Sequence, residues 1–253
     1  MPLGTEKFSI RTSEVDFRHR LTIPALVNFL QETAMHNIGA IGLPMHILEE
    51  KNLGWVLSRQ HLKIAAYPRE TEQITVETCP HSFEKYYAYR DFRVYNSQQE
   101  IICTVASSWL LFDLEKRQLI AIPDFVKERV TLCTKHPPLP IPKTKIQALQ
   151  RVDYQANFQV SWHTLDLNKH TNNVYYFQWA LDTLPEEVLN QFSVSELDIM
   201  FRNESLLGEK VIAQAEEIIN EDKPSQKTFI HRIIKEKDGK EVIQAKVQLI
   251  KDL

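Results

Sequence analysis

The fold of this chain is decided by the stretch DLNKHTNNVYYFQWA, residues 166–180, in which a polar loop runs directly into an apolar helix. Asp166, Asn168 and His170 alternate with Leu167 and Lys169, so an extended backbone would place the three polar side chains on one side. We therefore expect an acid, an amide and an imidazole to share one surface just before the helix.

The helix itself is predicted from its cap and its spacing. Asn172 and Asn173 are residues of the type that caps a helix N-terminus. Apolar residues then recur at helical intervals, at Val174, Phe177, Ala180 and Leu181. A helix start presents unpaired backbone N–H groups and positive potential. The amides of Asn173 and Val174 are therefore predicted to stabilise an oxyanion.

A simpler interpretation is that Asp, Asn and His cluster in loops because they favour turns and caps. Two features of the rest of the chain argue for chemistry instead. One is an acid downstream, Glu204, and the other is an internal repeat whose two copies differ at these positions.

Composition narrows the class of protein. The chain has 253 residues, of which 43% are hydrophobic and 25% charged, with a net charge of −3. This length predicts two domains, and this balance is typical of a globular protein without a charge pattern for nucleic acid. No apolar run reaches about 18 residues, so no stable membrane insertion is predicted. Glycine-rich phosphate loops are not expected, because the 6 Gly form neither a GxGxxG nor a Walker pattern.

The N-terminus and the cysteines favour a cytoplasmic location. Residues 1–6 lack a basic segment followed by an apolar one, so no secretory signal is expected. Cys79, Cys103 and Cys133 are odd in number and widely spaced, which suits a reducing compartment and predicts neither a disulfide framework nor a metal site. No cofactor is expected.

One order of predicted elements occurs twice along the chain. The first half begins with a strand near 6–12, followed by a helix capped by Thr22. Strands then follow at 55–66, 72–83, 85–95 and 100–113, and a short helix at 123–128. Four prolines in HPPLPIP, residues 136–142, then indicate a semi-rigid linker. The second half has a strand at 152–160, helices at 172–183 and 185–191, and strands near 194–203, 209–219, 226–236 and 241–251.

This order predicts an α+β fold made of two tandem domains, each with an antiparallel sheet packed on a long helix. We place the domains at residues 1–135 and 151–253, joined by a proline-rich linker at 136–150.

The two copies differ where chemistry would occur. A shift of 150 residues puts Asp16 on Asp166, but it puts Arg18 on Asn168 and Arg20 on His170, and a shift of 137 puts Tyr67 on Glu204. An arginine stays protonated and cannot act as a base. The repeat therefore predicts one active site, in the second copy, and a first copy whose chemistry has lapsed.

Leu165–Asn173 is similar to the D-x-N-x-H-x-N-N segment of the acyl-acyl carrier protein thioesterase family. Supporting matches occur, in order, at NLGWV (52–56), ASSW (106–109) and FRNE (201–204), and the resemblance covers residues 5–251. It implies two hot-dog domains in one chain, each an antiparallel sheet wrapped around a long central helix. It also implies hydrolysis of the thioester that joins a fatty acyl group to its carrier protein.

Carried over residue by residue, the family's catalytic set falls on Asp166, Asn168, His170 and Glu204. Relatives often have a cysteine directly after the acid, whereas this chain has Ser205, so water is the expected nucleophile. Either His170 or Glu204 can serve as the base, Asp166 would orient a neighbour, and Asn168 can donate to an oxygen without titrating.

The resemblance assigns the acyl-chain pocket to the first domain, where Met35, Ile38 and Trp55 are candidate lining residues. Ordinary core packing is the alternative for each. Lys169 and Arg202 are candidates for contacting an acidic carrier protein, with a solvated surface charge as the alternative.

We therefore predict a cytoplasmic acyl-acyl carrier protein thioesterase that releases free fatty acid. Its partner would be acyl carrier protein bearing a fatty acyl thioester, and the chain would be a monomer with an internal pseudo-dimer, or a homodimer. The alternatives are a hot-dog thioesterase acting on acyl-coenzyme A and a non-catalytic acyl-binding or regulatory protein. A hot-dog dehydratase fits less well, because no second His/Asp pair spans the two copies.

Overall fold

The computed structural model describes residues 3–252 and divides the chain between Pro142 and Lys143 into two compact units. This division lies inside the segment predicted as a linker. No described helix in the chain is long and apolar enough to cross a membrane.

The first unit contains one long helix and a set of antiparallel strands. Its elements are β1 (Gly4–Ser9), α1 (Ile23–Ala40), α2 (Met45–Glu49), β2 (Leu53–Ile64), β3 (Gln73–Phe83), β4 (Tyr87–Tyr95), β5 (Ile101–Asp113), β6 (Gln118–Ile120) and α3 (Asp124–Arg129). The strands are ordered β1-β3-β4-β5-β2, each antiparallel to its neighbour, and β6 pairs with β5.

Helix α1 begins where the sequence predicts. Thr22 caps it by accepting a hydrogen bond from the Ala25 amide at 3.3 Å, and Pro24 lies in the first turn, where a missing N–H costs little. The helix ends before Gly42, whose φ of +88° favours glycine. α1 lies against β1 and β3, with the Phe8 and Phe29 rings stacked at 4.4 Å.

The second unit repeats this arrangement. Its elements are β7 (Tyr154–Gln159), α4 (Asn173–Asp182), α5 (Glu186–Gln191), β8 (Phe192–Phe201), β9 (Lys210–Ile218), β10 (Gln226–Lys235) and β11 (Glu241–Lys251). The strands are ordered β7-β9-β10-β11-β8, again antiparallel, and α4 lies against β7, β9 and β10. The predicted α+β class is confirmed, and the same strand order occurs in both units.

Matching side-chain contacts confirm the internal repeat. Phe158 stacks on Trp179 at 5.5 Å, as Phe8 stacks on Phe29 in the first unit. The Thr183 hydroxyl donates to the Trp179 carbonyl at 2.7 Å, and the Thr33 hydroxyl donates to the Phe29 carbonyl at 2.8 Å. Each pair is related by the 150-residue shift seen in the sequence.

The predicted linker is held against β3 and β4 of the first unit. Just before the linker, the Cys133 amide donates to the Pro80 carbonyl at 2.8 Å. Within it, the Pro137 carbonyl accepts from the Arg93 guanidinium at 2.8 Å. The Leu139 amide donates to the Asp91 carboxylate at 2.7 Å. These bonds fix the path of the proline segment before the chain enters the second unit.

Candidate active site

The loop before α4 is a tight turn, so the prediction of an extended backbone is wrong. The Asp166 carboxylate oxygen Oδ1 accepts from the Asn168 amide at 2.8 Å and from the His170 amide at 3.0 Å. The Asp166 amide donates to the His170 carbonyl at 2.8 Å, and Lys169 has a φ of +63°. Alternating polarity indicates an extended strand, but an aspartate that bonds its own backbone favours a turn.

The turn gives the three polar side chains different surroundings. Asp166 is directed at the backbone of its own turn, and Asn168 is exposed. Leu167 is 94% exposed at the tip. Asp166 therefore orients its neighbours through their amides, and the role of the Asn168 side chain stays a prediction.

His170 and Glu204 are brought into contact by the fold. His170 Nε2 lies 3.2 Å from Glu204 Oε2, and the side chains are 31% and 38% exposed. The backbones on which they are carried are paired, because the Thr171 amide donates to the Ser205 carbonyl at 2.9 Å and His170 bridges to Leu206. An imidazole beside a carboxylate, open to water, can take a proton from a water molecule.

The start of α4 offers one of the two predicted amide donors. Asn172 caps the helix by accepting from the Val174 amide at 3.1 Å, so this amide already has an acceptor here, and its role at an oxyanion stays a prediction. A cap residue satisfies an amide that would otherwise be free. For the Asn173 amide, the part of the chain from residue 3 to 252 provides no hydrogen-bond acceptor, and its role stays a prediction.

Close to this pair in the chain lie three buried hydroxyl residues, Thr171, Tyr176 and Ser205, that were not predicted from the sequence. Ser205 Oγ lies 2.7 Å from the Tyr176 hydroxyl and 2.8 Å from Thr171 Oγ1, and the Ser205 amide donates to the Tyr176 hydroxyl at 3.1 Å. Burial raises the pKa of Tyr176. The signal was present in the repeat, where the equivalent positions of the first copy are apolar: Leu21, Leu26 and Pro68.

The first copy builds the same turn around different chemistry. Asp16 Oδ1 accepts from the Arg18 amide at 2.9 Å and from the Arg20 amide at 3.0 Å. The Arg20 guanidinium lies over the Tyr67 ring, 5.5 Å from its centroid, where the second copy has His170 beside Glu204. The backbone of the site is therefore retained in both copies, and the acid–base pair is present in one.

The three candidate acyl-pocket residues lie in different surroundings. Ile38 and Trp55 are half-buried and pack against one apolar cluster of the first unit, whose buried members are Leu43, Leu48, Leu53, Leu111, Ile122, Val126 and Val130. Met35 is 43% exposed and is not among the residues that pack on this cluster. The structure thus brings together two of the three.

All three cysteines belong to the first unit, whereas the candidate site lies in the second. All three thiols are free and buried, and burial raises the pKa of Cys79 and of Cys103 to about 12 in each case. A thiol attacks as its thiolate, so a raised pKa makes it unreactive at neutral pH. Within residues 3–252, no group of His, Cys, Asp and Glu is arranged to hold a metal ion.

Comparisons with known proteins identify relatives of both units. A family model for the acyl-ACP thioesterase N-terminal domain matches residues 3–129, and one for the C-terminal domain of the same enzymes matches residues 147–251. The chain is 25% identical to an oleoyl-acyl carrier protein thioesterase of Coriandrum sativum, over 86% of this chain and 63% of that protein. It is 29% identical to a palmitoyl-acyl carrier protein thioesterase of Gossypium hirsutum, over 79% and 51%.

The chain therefore spans between about half and two thirds of the length of these curated relatives. Among solved structures, the 12:0-ACP thioesterase of Umbellularia californica superposes with a TM-score of 0.88 at 22% identity, over 99% of this chain and 94% of that one. This likeness shows the fold, which is two hot-dog domains in one chain.

Proposed function

Because the chain belongs to the acyl-ACP thioesterase family, we propose that it hydrolyses the thioester of fatty acyl-acyl carrier protein to free fatty acid and carrier protein. The active site is the turn and helix start of the second unit, with Asp166, Asn168, His170 and Glu204 as the functional side chains. Water is the nucleophile.

The observation that carries this proposal is the 3.2 Å contact between His170 Nε2 and Glu204 Oε2. These residues are 34 positions apart in the chain, and the fold places them together beside a helix N-terminus. The equivalent pair in the first copy is Arg20 and Tyr67, and neither side chain can act as a base at neutral pH. The pair is thus a feature of one copy and is not required by the fold.

Hydrolysis needs a base, a water molecule and a donor for the developing negative charge. His170 or Glu204 takes a proton from water as the water oxygen bonds to the carbonyl carbon, and the carbonyl electron pair moves to oxygen. The Asn173 amide and the Asn168 side chain would stabilise that oxyanion, an effect worth roughly 10²–10³ in rate per donor. The intermediate then re-forms the carbonyl as the C–S bond breaks, and the thiolate leaves.

The positions of Asp166 and Ser205 fit this division of roles. Asp166 is bonded to the amides of Asn168 and His170, so it supports the loop and need not exchange protons. Ser205 is 0% exposed and its hydroxyl is bonded to Thr171 and Tyr176, which favours water over an acyl-serine mechanism. A thiolate is a good leaving group, so one acid–base pair is enough for both steps.

The first unit would bind the acyl chain. Ile38 and Trp55, with Met35 as a further candidate, would line the pocket beside the apolar cluster they pack on. Exposed Lys169 and Arg202 near the site would contact an acidic carrier protein. A cytoplasmic location, and a monomer or homodimer as the working form, belong to the same proposal.

Product analysis tests the function directly. The purified chain is incubated with acyl-carrier protein and acyl-coenzyme A substrates of graded chain length, and free fatty acid and free thiol are both measured. We expect hydrolysis of the carrier-protein substrates with higher kcat/KM. Preference for acyl-coenzyme A would identify the alternative thioesterase, and binding of acyl chains without release of thiol would identify a non-catalytic protein.

A further inference from the structure

Three buried hydroxyl residues, Thr171, Tyr176 and Ser205, form one hydrogen-bonded group that we name the hydroxyl cluster. Their exposed fractions are 4%, 2% and 0%. Thr171 directly follows His170 in the chain, and Ser205 directly follows Glu204. The cluster therefore lies one residue away from each member of the acid–base pair.

Ser205 is the centre of the cluster and is held at three atoms. Its carbonyl accepts from the Thr171 amide at 2.9 Å and from Thr171 Oγ1 at 3.0 Å. Its amide donates to the Tyr176 hydroxyl at 3.1 Å, and its Oγ contacts both other hydroxyls. Consecutive Cα atoms are about 3.8 Å apart, so a shift of Ser205 carries Glu204 with it.

The first copy shows that the fold does not need these hydroxyls. Leu21, Leu26 and Pro68 occupy the equivalent positions, and the Leu21 amide still donates to the Pro68 carbonyl at 2.9 Å. These three residues line a small cavity with almost entirely apolar walls. In the copy that lacks His170 and Glu204, the same backbone pairing is therefore surrounded by apolar side chains instead of hydroxyl groups.

Burying three hydroxyls is unfavourable unless each is bonded, and apolar side chains can fill the same place. The cluster occurs in the copy that has the acid–base pair and is absent from the copy that lacks it. We propose that Thr171, Tyr176 and Ser205 are positioning residues that hold Glu204 against His170 for the proposed hydrolysis. This inference rests on the proposed function, and it assigns Ser205 a role through its position and not as a nucleophile.

Removing one hydroxyl at a time tests the proposal. Thr171→Val and Tyr176→Phe should each lower kcat by about tenfold with little change in KM, because the pair is misaligned while the substrate surface is intact. The pH profile of kcat should also shift, because the contact between His170 and Glu204 is altered. Thr171→Ser keeps the hydroxyl and should restore most of the turnover.

Thr183→Val is the matched control. Thr183 is a buried threonine that directly follows α4, and its hydroxyl donates within that helix, to the Trp179 carbonyl at 2.7 Å. Its replacement also removes one buried hydrogen bond, but it touches neither His170 nor Glu204. We expect a drop in Tm similar to that of Thr171→Val, with kcat and its pH profile unchanged.

A double-mutant cycle separates positioning from general stability. Adding Thr171→Val to a His170→Ala enzyme should cause no further loss, because the alignment of an absent imidazole cannot matter. If Thr171→Val and Tyr176→Phe match Thr183→Val in kcat and pH profile, the positioning role is wrong. If Tyr176→Phe fails to fold, the same comparison of kcat and pH profile with Thr183→Val is made for Thr171→Val and Ser205→Ala.

The outcomes also separate this inference from the proposed function. A wild-type enzyme without thioesterase activity would overturn the proposed function and this inference with it. An active wild type that loses turnover on His170→Ala, with cluster variants that behave like the control, would overturn this inference alone. An acyl-serine adduct at residue 205 by mass spectrometry would instead make Ser205 a nucleophile and contradict its positioning role.

Discussion

His170 and Arg20 occupy equivalent places in the two copies, and their side chains differ in the proton chemistry that they allow. Both follow an aspartate turn with the same amide bonds, at 3.0 Å in each case. An imidazole can gain and lose a proton near neutral pH, whereas a guanidinium cannot. On the proposed mechanism, this one position therefore distinguishes a turn that can supply a base from one that cannot.

Replacement of either member of the acid–base pair tests this difference. His170→Ala and Glu204→Ala should each lower kcat by about 10²–10⁴, the range for loss of a general base, while Tm changes little because both side chains are partly exposed. Arg20→Ala is the matched change in the first copy and should leave kcat unaltered. Steady-state kinetics on one carrier-protein substrate decide the matter, and near-normal turnover in a folded His170→Ala enzyme would remove His170 from the mechanism.

His231 is a further residue that the sequence did not single out. It lies in β10 between Ala215 and Ala245 of the neighbouring strands, and it is 1% exposed. Neither ring nitrogen has a hydrogen-bond partner within residues 3–252. Burial lowers the pKa of His231 to about 3, so the ring is neutral in the folded protein. The first copy has Phe92 at the equivalent place, since Thr78 pairs with Phe92 as Ala215 pairs with His231.

The lowered pKa predicts a loss of stability in mild acid. Above the ordinary histidine pKa, near 6.5, His231 is neutral in both states; as the pH falls from there towards 3, the unfolded chain binds a proton that the folded chain does not. The free energy of unfolding should then fall by up to about 1.4 kcal/mol per pH unit from this residue. His231→Phe should reduce that slope in denaturant titrations between pH 7.5 and 5.

The reciprocal change provides the control. Phe92→His introduces a histidine at the matching buried position and should add a similar acid sensitivity to the first unit. Equal slopes for wild type and His231→Phe would show that the ring becomes protonated without cost and would contradict the prediction.

Among the elements, the turn that precedes each long helix is the one most defined by its sequence. In both copies an aspartate accepts from the amides two and four positions later, and the residue between them has a positive φ, +61° at His19 and +63° at Lys169. The same turn thus precedes the long helix in both copies, and in the second copy it also places His170 beside Glu204.

Alanine at either aspartate should destabilise its unit by about 1–2 kcal/mol, because two amides lose their acceptor. Asp166→Ala should also lower kcat by tenfold or more, since His170 is no longer held by its amide. Asp166→Asn keeps an oxygen acceptor and should retain more turnover than Asp166→Ala. Comparison of kcat with the free energy of unfolding, for these variants and Asp16→Ala, checks this.

Asp16→Ala is the matched control for the turn. It should lose similar stability and keep its kcat, because the turn that it disrupts holds neither His170 nor Glu204. Equal loss of kcat from Asp16→Ala and Asp166→Ala would show that the effect is on folding in general and not on the site.

At the scale of the whole molecule, the chain has two copies of one fold, and the His170–Glu204 pair belongs to the second copy. The first unit keeps its long helix, its five-strand order and an apolar cluster on which Ile38 and Trp55 pack. An interior kept in a copy without the pair is consistent with a second task, and we propose that this task is measuring the acyl chain.

Filling the proposed pocket should shift chain-length preference. Each methylene that is buried contributes about 0.8 kcal/mol, and one that meets a packed wall contributes nothing. Ile38→Phe should therefore lower kcat/KM for long chains and spare short ones. The measurement is kcat/KM against chain length beside wild type. Val188→Leu, a buried change in the second unit, controls for added bulk, and an unchanged profile for a well-folded Ile38→Phe enzyme would place the pocket elsewhere.

The sequence by itself predicted most of the secondary structure, the duplication, and His170 and Glu204 as candidate site residues, but it did not predict α2 or β6. Hydrophobic periodicity and helix caps are local signals, so the strands and α1 begin and end close to where Thr22, the prolines and the alternating residues predict. The same local reasoning failed at Asp166. Its side chain bonds the backbone of the following residues and folds them into a turn, although the polar and apolar residues still alternate in the sequence.

Only the tertiary structure decided which residues meet. The contact of His170 with Glu204, the bonds of Thr171 and Tyr176 to Ser205, and the burial of His231 all join positions on different elements. Such contacts depend on strand register and on the helix face that is buried, which follow from packing of the whole unit. The repeat does show that these positions differ between the copies, because the first copy has Leu21, Leu26, Pro68 and Phe92 at the equivalent positions. The reason for the difference becomes clear only when the structure shows which of these residues are in contact.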